Sequence, residues 1–277
     1  MKIYPKISPG IVGEEMDKII KNSEGIEIQF FDENGITSEF NFEDEIIRRK
    51  KEYPNLKEIV VHPPLSNYNL EMIVMKDKTI VEKQLKKMVE LSKELNMKIT
   101  LLYHTYWTKE QYISTHLADE LAKLLKIIEN TQVTMLIENI YMILDEKNKC
   151  SALEIVKYMD HPNLRTCIDT THVNCKARIY KKDLIEMVNE ALKAEDCEKY
   201  VKQVHFAAAI KNDGYIDKKT HGRKHESKEE LRKEYDWLCK HGMEDKNYIT
   251  EVSEENYDLR LDQIEEIKML EECALKK

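Results

Sequence analysis

The feature that most constrains the fold of this chain is an alternation. Eight short apolar or β-branched runs recur along it: Lys2 to Ile7, Gly25 to Phe31, Glu58 to His62, Lys98 to His104, Thr134 to Glu138, Arg165 to Asp169, Val201 to Phe206 and Tyr248 to Val252. Between them lie charged segments with apolar residues at i, i+3 and i+4, the signature of helices with one face laid on a sheet. In Ile80 to Met97, Val81, Leu85, Met88, Val89, Leu91 and Leu95 share such a face, and Leu117 to Ile128, Lys182 to Ala194 and Ser227 to Lys240 repeat the pattern. Strands separated by helical stretches of this kind imply parallel βαβ units. A closed barrel of eight units takes about 250 residues as one domain, and the chain has 277. We expect an α/β fold, a single (β/α)8 TIM barrel spanning residues 1–277.

Glycine points the same way. The chain has seven, with none between Gly35 and Gly214, so its middle carries no glycine-rich turn to cradle a nucleotide phosphate. That argues against a doubly wound nucleotide-binding sheet. The hydrophobic share of 42% is enough for a sizeable core, and the 35% of charged residues suits well-solvated helices. A formal net charge of −8 speaks against a nucleic-acid partner, since phosphate binding is driven by Lys and Arg. No apolar run approaches the roughly 18 residues of a membrane span, and the opening MKIYPKISPG lacks the apolar stretch of a secretory signal. Cysteines 150, 167, 175, 197, 239 and 273 form no CxxC pair and read as reduced thiols. A cytoplasmic protein with no membrane partner is expected.

Chemistry collects at the ends of the runs. The third ends at His62 (VVHPP), the fourth at His104 (LLYHT), the fifth at Glu138 (LIENI) and the sixth at Asp169, with His172 just beyond (CIDTTH). The seventh closes on His205 (QVHF) and the eighth on Glu251 (ITEVS). Active sites of such barrels lie at the C-terminal ends of the strands, so these side chains would share one mouth. One His or acid at a strand end is ordinarily a cap or a solvated residue. Six in succession would crowd negative charge that must take up protons or a cation. A divalent metal satisfies them together, and mixed imidazole and carboxylate ligands suit zinc, manganese, iron or cobalt better than calcium. The remaining candidates have plainer readings. His116, His161 and His241 fall in helix or turn contexts and are expected at the surface. Tyr106 and Trp107 would stack on a ligand or pack on a neighbouring loop. Lys228 to Asp236 reads as a solvated helix face, and Cys167 as a small buried hydrophobe.

At these residues the chain resembles the xylose isomerase-like barrel superfamily, which includes sugar epimerases and the family 2 apurinic/apyrimidinic endonucleases (endonuclease IV-like). The resemblance runs over nearly the whole chain. It implies that Glu138, Asp169, His205 and Glu251 form a shared metal site. His62 in HPPLSNYNL and His104 in LYHT resemble the endonuclease branch, where with a bridging Glu138 they would hold a second metal. His172 in CIDTTH, with Asp217 and His221 in YIDKKTHG, would hold a third, His221 being favoured over His225. The branch writes that last pair as D-x-H, whereas it is D-x-x-x-H here, and GRKHES, NIYM and SPGIVG replace the loops that approach DNA. IDTTHVN fits the D-T-x-H-x-N run of epimerases equally well.

Three functions are therefore expected in turn. The first is a phosphoester hydrolase of two or three metals, zinc foremost and manganese second, acting on abasic DNA or a small phosphorylated substrate, with Glu138 bridging and Glu251 orienting the nucleophile. The second is a single-metal sugar or sugar-phosphate isomerase or epimerase, in which Glu138 and Glu251 shuttle a proton and His172 meets substrate. The third is a barrel that binds a metabolite without turnover.

Overall fold

Pro5 breaks the first run in two, and the break is where the sheet joins its own ends. In the computed structural model, which describes residues 1–30, 42–63, 69–139, 150–172, 191–208, 222–252, 254 and 256–274, the strands are β1 (Lys2–Ile3), β2 (Lys6–Ile7), β3 (Gly25–Gln29), β4 (Glu58–His62), β5 (Lys98–Thr105), β6 (Val133–Asn139), β7 (Leu164–Asp169), β8 (Val201–Phe206) and β9 (Asn247–Thr250). Their order in the sheet is β1-β9-β8-β7-β6-β5-β4-β3-β2, with every pairing parallel. Proline has no N–H to give a ladder, so one segment serves two neighbours in turn. Tyr4 N–H donates to the Tyr248 carbonyl at 2.8 Å, and the Pro5 carbonyl accepts from Glu27 N–H at 3.0 Å. Residues 2–7 thereby close the barrel.

Around the sheet run α1 (Glu14–Asn22), α2 (Glu43–Glu52), α3 (Leu70–Glu94), α4 (Lys109–Ser114), α5 (Leu117–Ile128), α6 (Ser151–Met159), α7 (Ala194–Tyr200), α8 (Lys228–Lys240) and α9 (Leu261–Ala274). The α5 helix keeps the bounds its periodicity predicts and buries Leu117, Leu121, Leu124, Leu125 and Ile128. The Ser227 side chain caps α8 by accepting from Glu230 N–H, which places that helix as read. By contrast, α3 begins ten residues before the expected Ile80, because Asn69 caps it and accepts from Met72 N–H at 2.8 Å. Its first turns bury Leu70, Ile73 and Val74, and the helix kinks at Asp77. Most of the predicted helix Lys182 to Ala194 lies outside the described residues. No helix among the described residues is long and apolar enough to cross a membrane.

The period of two along each strand divides the core. Outward residues such as Ile59, Val61, Leu101, Ile137 and Phe206 meet the helices, while Tyr4, Val60, Leu102, Leu136, Cys167 and Ile249 form a buried plug inside the barrel. Gly25 serves that plug: a Cβ there would lie 2.5 Å from the Tyr4 ring. Two residues beyond each plug position comes a polar one: Lys6, His62, His104, Glu138, Asp169 and Glu251. The alternation that builds the plug thus stacks a polar layer directly on top of it.

Candidate metal centre

The polar layer brings the candidates of six strand ends together. Ladder register sets His104 beside Glu138 and Asp169 beside His205. Ligating atoms of Glu138, Asp169, His205 and Glu251 all lie within 4.8 Å of one another. His205 Nδ1 is 3.4 Å from Glu138 Oε1 and 2.5 Å from Glu251 Oε2. A second convergent group adjoins the first: His62, His104 and Glu138. Here His62 Nε2 is 3.4 Å from His104 Nε2, which is 3.4 Å from Glu138 Oε2. Glu138 is common to both groups.

The residues fit a cation. Glu138 Oε2, His205 Nδ1 and Glu251 Oε2 are buried without a well-aligned hydrogen bond, the last two pressed 2.5 Å apart as an ion pair, and a buried polar atom left without a good hydrogen bond costs about 1–3 kcal/mol. One divalent ion among them would satisfy all three. Mixed carboxylate and imidazole donors suit zinc or manganese.

Two residues that the sequence reading passed over hold this layer from behind. Glu27 is fully buried, its Oε2 accepting from Gln203 Nε2 at 2.8 Å and lying 2.9 Å from His205 Nε2. With its proton on Nε2 for Glu27, His205 turns a lone pair on Nδ1 toward the centre, as second-sphere carboxylates arrange for metal-binding imidazoles. Glu27 Oε1 lies 3.1 Å from both His62 Nδ1 and the Lys6 ammonium. Lys6 also pairs with Glu251 Oε1 at 2.7 Å. Neither residue ends its run, which is why strand ends alone miss them. The available signal was a charge at an inward position between apolar neighbours: Glu27 between Ile26 and Ile28, and Lys6 beside Ile7.

These charges set one another's protonation. Burial pushes the Glu138 carboxyl up, but His205 and His104 outweigh it and hold Glu138 well below the usual range. Glu251 is likewise held low against burial by Lys6 and His205, and Glu27 by His205 and Lys6. Burial lowers His205, yet Cys167 and the carboxylates of Glu27, Glu251 and Glu138 raise it well above its ordinary value. His62 is lowered by burial and by Lys6. Metal and proton therefore compete for one His205 nitrogen.

His172 stands at the margin. Its N–H donates to Asp169 Oδ1 at 2.7 Å and its Nδ1 meets the Asn139 carbonyl at 2.7 Å. Its Nδ1 is 3.7 Å from Glu138 Oε1, and His172 belongs to neither convergent group. Asp217 and His221, expected to complete a third metal with it, lie outside the described residues. His225 is away from the mouth as expected, but not on a solvated segment: it is buried between Glu234 and Glu266 and faces the Phe206 ring at 4.9 Å. The bend at residues 222–226 tucks its ring under α8 and α9 instead of leading it into solvent. Cys167 sits in the plug, its thiol pushed up to about 12 by burial. Trp107 packs edge-on against Tyr112 at 6.4 Å, while Tyr106 is exposed. His116 is exposed, and His161 and His241 are half-buried.

Comparison with known proteins agrees with this architecture. No curated protein matches the chain. Among solved structures it is similar to a D-tagatose 3-epimerase-like protein at 21% identity and TM-score 0.63, covering 100% of this chain and 98% of that one. It is similar to the IOLI protein with a binding zinc atom at 16% identity and TM-score 0.60, covering 100% and 99%. The D-allulose 3-epimerase from Methylomonas sp. in complex with D-allulose aligns at 11% identity and TM-score 0.57, covering 98% and 97%. A family model described as xylose isomerase-like TIM barrel matches residues 22–270. With a sheet that closes through residues 2–7 and a polar layer over its plug, the chain belongs to the xylose isomerase-like TIM barrel family.

Proposed function

We propose that this protein is a sugar or sugar-phosphate isomerase or epimerase working with one divalent metal, zinc or manganese, held by Glu138, Asp169, His205 and Glu251. The observation that carries the reading is the quartet, three of its residues buried and Glu251 half-buried, with three buried ligating atoms that make no well-aligned hydrogen bond. Support comes from the similar structures, whose names are those of sugar epimerases and of a zinc-binding barrel. They favour this reading over the endonuclease-like hydrolase that the two extra histidines suggest.

When bound, the metal supplies Lewis acidity toward a carbonyl and its neighbouring hydroxyl. The rest is the work of this chain's side chains. Glu138 comes from β6 and Glu251 from just beyond β9, so they approach a substrate carbon from different sides of the mouth. One carboxylate takes the proton from the carbon beside the carbonyl. The other returns a proton, to the opposite face for epimerisation or to the neighbouring carbon for isomerisation. Both carboxyls are held ionised in the free centre, as a base requires, so the one that returns a proton first takes one up from solvent, and the base releases the proton it gained after turnover. His172, its Nδ1 anchored on Asn139, is placed to meet a substrate hydroxyl at the rim. The buried His62 and His104 line one wall.

Incubation with a panel of keto sugars in deuterated water tests the reading. We expect interconversion of one sugar pair with deuterium entering at the altered carbon. Cleavage of a synthetic abasic duplex, with no sugar converted, would establish the hydrolase instead, which the His62, His104 and Glu138 group favours.

A further inference from the structure

The second convergent group poses a question of number. His62, His104 and Glu138 have the donors for a second ion, yet Lys6 lies beside them. We propose that the Lys6 ammonium restricts the centre to one divalent ion, standing in for a second ion that His62 and His104 would otherwise bind. The proposal rests on the metal-centre reading above and concerns how many ions that centre accepts.

Charge is the first argument. Glu27, Glu138, Asp169 and Glu251 bring four carboxylates to the layer. Lys6 offsets one and a divalent ion offsets two, leaving a single negative charge for substrate and solvent to meet. A second ion would turn a buried layer net positive, which low-dielectric surroundings oppose.

The proton on His62 is the second. An ammonium has donors and no acceptor. At 3.2 Å from His62 Nδ1, Lys6 favours a lone pair on that nitrogen, which puts the ring proton on Nε2. That Nε2 faces His104 Nε2 at 3.4 Å, so its proton links the two rings, and a protonated nitrogen cannot ligate metal. Remove Lys6, and the ring proton moves to Nδ1 and donates to Glu27 Oε1 at 3.1 Å. The Nε2 lone pair then opens toward His104 and Glu138. The number of protons is unchanged; only the nitrogen that carries one differs. Tautomer and charge push in the same direction.

The test is zinc per chain, measured by elemental analysis on protein purified without chelator, loaded with zinc and desalted. We expect one zinc in the native chain, two in Lys6→Met and one in Lys6→Arg, which keeps the cation. His62→Ala should leave the count at one, and this arm decides the matter if Lys6→Met does not fold. Two zincs in the native chain, one in folded Lys6→Met, or loss of zinc in His62→Ala would each overturn the proposal while leaving the metal centre standing. No zinc in the native chain, or zinc retained in Asp169→Ala, would overturn the centre and this proposal together.

Discussion

Among the buried histidines of the described residues, His205 and His225 are each set between carboxylates, and they are built to opposite ends. His225 donates one ring nitrogen to Glu266 and sets the other 3.1 Å from Glu234, and its own N–H meets Glu266 at 3.2 Å. Each polar contact there is answered by one partner, and a single shared proton is counter-ion enough. At the mouth, His205 faces Glu27, Glu138 and Glu251, and its Nδ1 converges with oxygens of two carboxylates at once, 3.4 Å from Glu138 Oε1 and 2.5 Å from Glu251 Oε2. The residue types match; the satisfaction does not. Pairing makes a clasp between loop and helices, whereas convergence makes a place for an ion.

The largest effect should come from breaking the convergent side. Glu251→Gln keeps the shape and removes the base, and we expect kcat for sugar interconversion to fall by about 10²–10⁴-fold. An activity within tenfold of native would remove Glu251 from the proton shuttle.

The paired side predicts a stability change with pH. Burial lowers His225, but Glu234 and Glu266 raise it to about 9. A folded value above the ordinary imidazole value stabilises fully below about 6.5 and is lost as pH rises through about 9, a change on the order of 3 kcal/mol. Urea melts of metal-loaded protein, in which His205 carries no extra proton, should show this decline. A flat profile between pH 6 and 9.5 would mean that the clasp contributes nothing as an ion pair.

Glu27 sharpens the comparison, because it serves the mouth yet touches no ion. Glu27→Gln should weaken zinc binding about 10–100-fold, read by competition with a chromophoric chelator. The melting profile assigned to His225 should be unmoved by that change. An unaltered zinc affinity would make Glu27 a structural residue only.

The smallest effect is graded. Since His205 is raised when metal is absent, zinc binding must displace one proton. Affinity should therefore rise about tenfold per pH unit below the folded value and level off above it. Calorimetry in buffers of different ionisation enthalpy should count one proton released, and a count of zero would place neutral His205 in the metal-free centre.

Much of this was legible in order along the chain. The eight runs appear as strands, and Glu138, Asp169, His205 and Glu251 converge as their positions at successive strand ends imply. That succeeded because side chains alternate along a strand and parallel βα units stack their C-terminal ends on one face. Glu27 and Lys6 escaped, since in a closed barrel the strands are tilted and staggered. A mid-run residue of β3 can then stand level with the terminal residue of β8. Where α3 begins was also misjudged, because Asn69 as a cap outweighs the periodicity that starts at Ile80.

By itself, then, the sequence determined the fold and the chemical character of the mouth, because both follow from local periodicity: apolar residues every second position, and acid or imidazole where each run stops. Only the tertiary structure decided which buried charges meet. Lys6 and Glu251 are 2.7 Å apart yet stand near opposite ends of the chain, and Pro5 brings them together by letting one segment close the sheet. The same closure distinguishes His205, whose Nδ1 meets two carboxylates at once, from His225, whose nitrogens have one each. Contact between distant strands is a property of register and shear, and no local pattern in the chain records it.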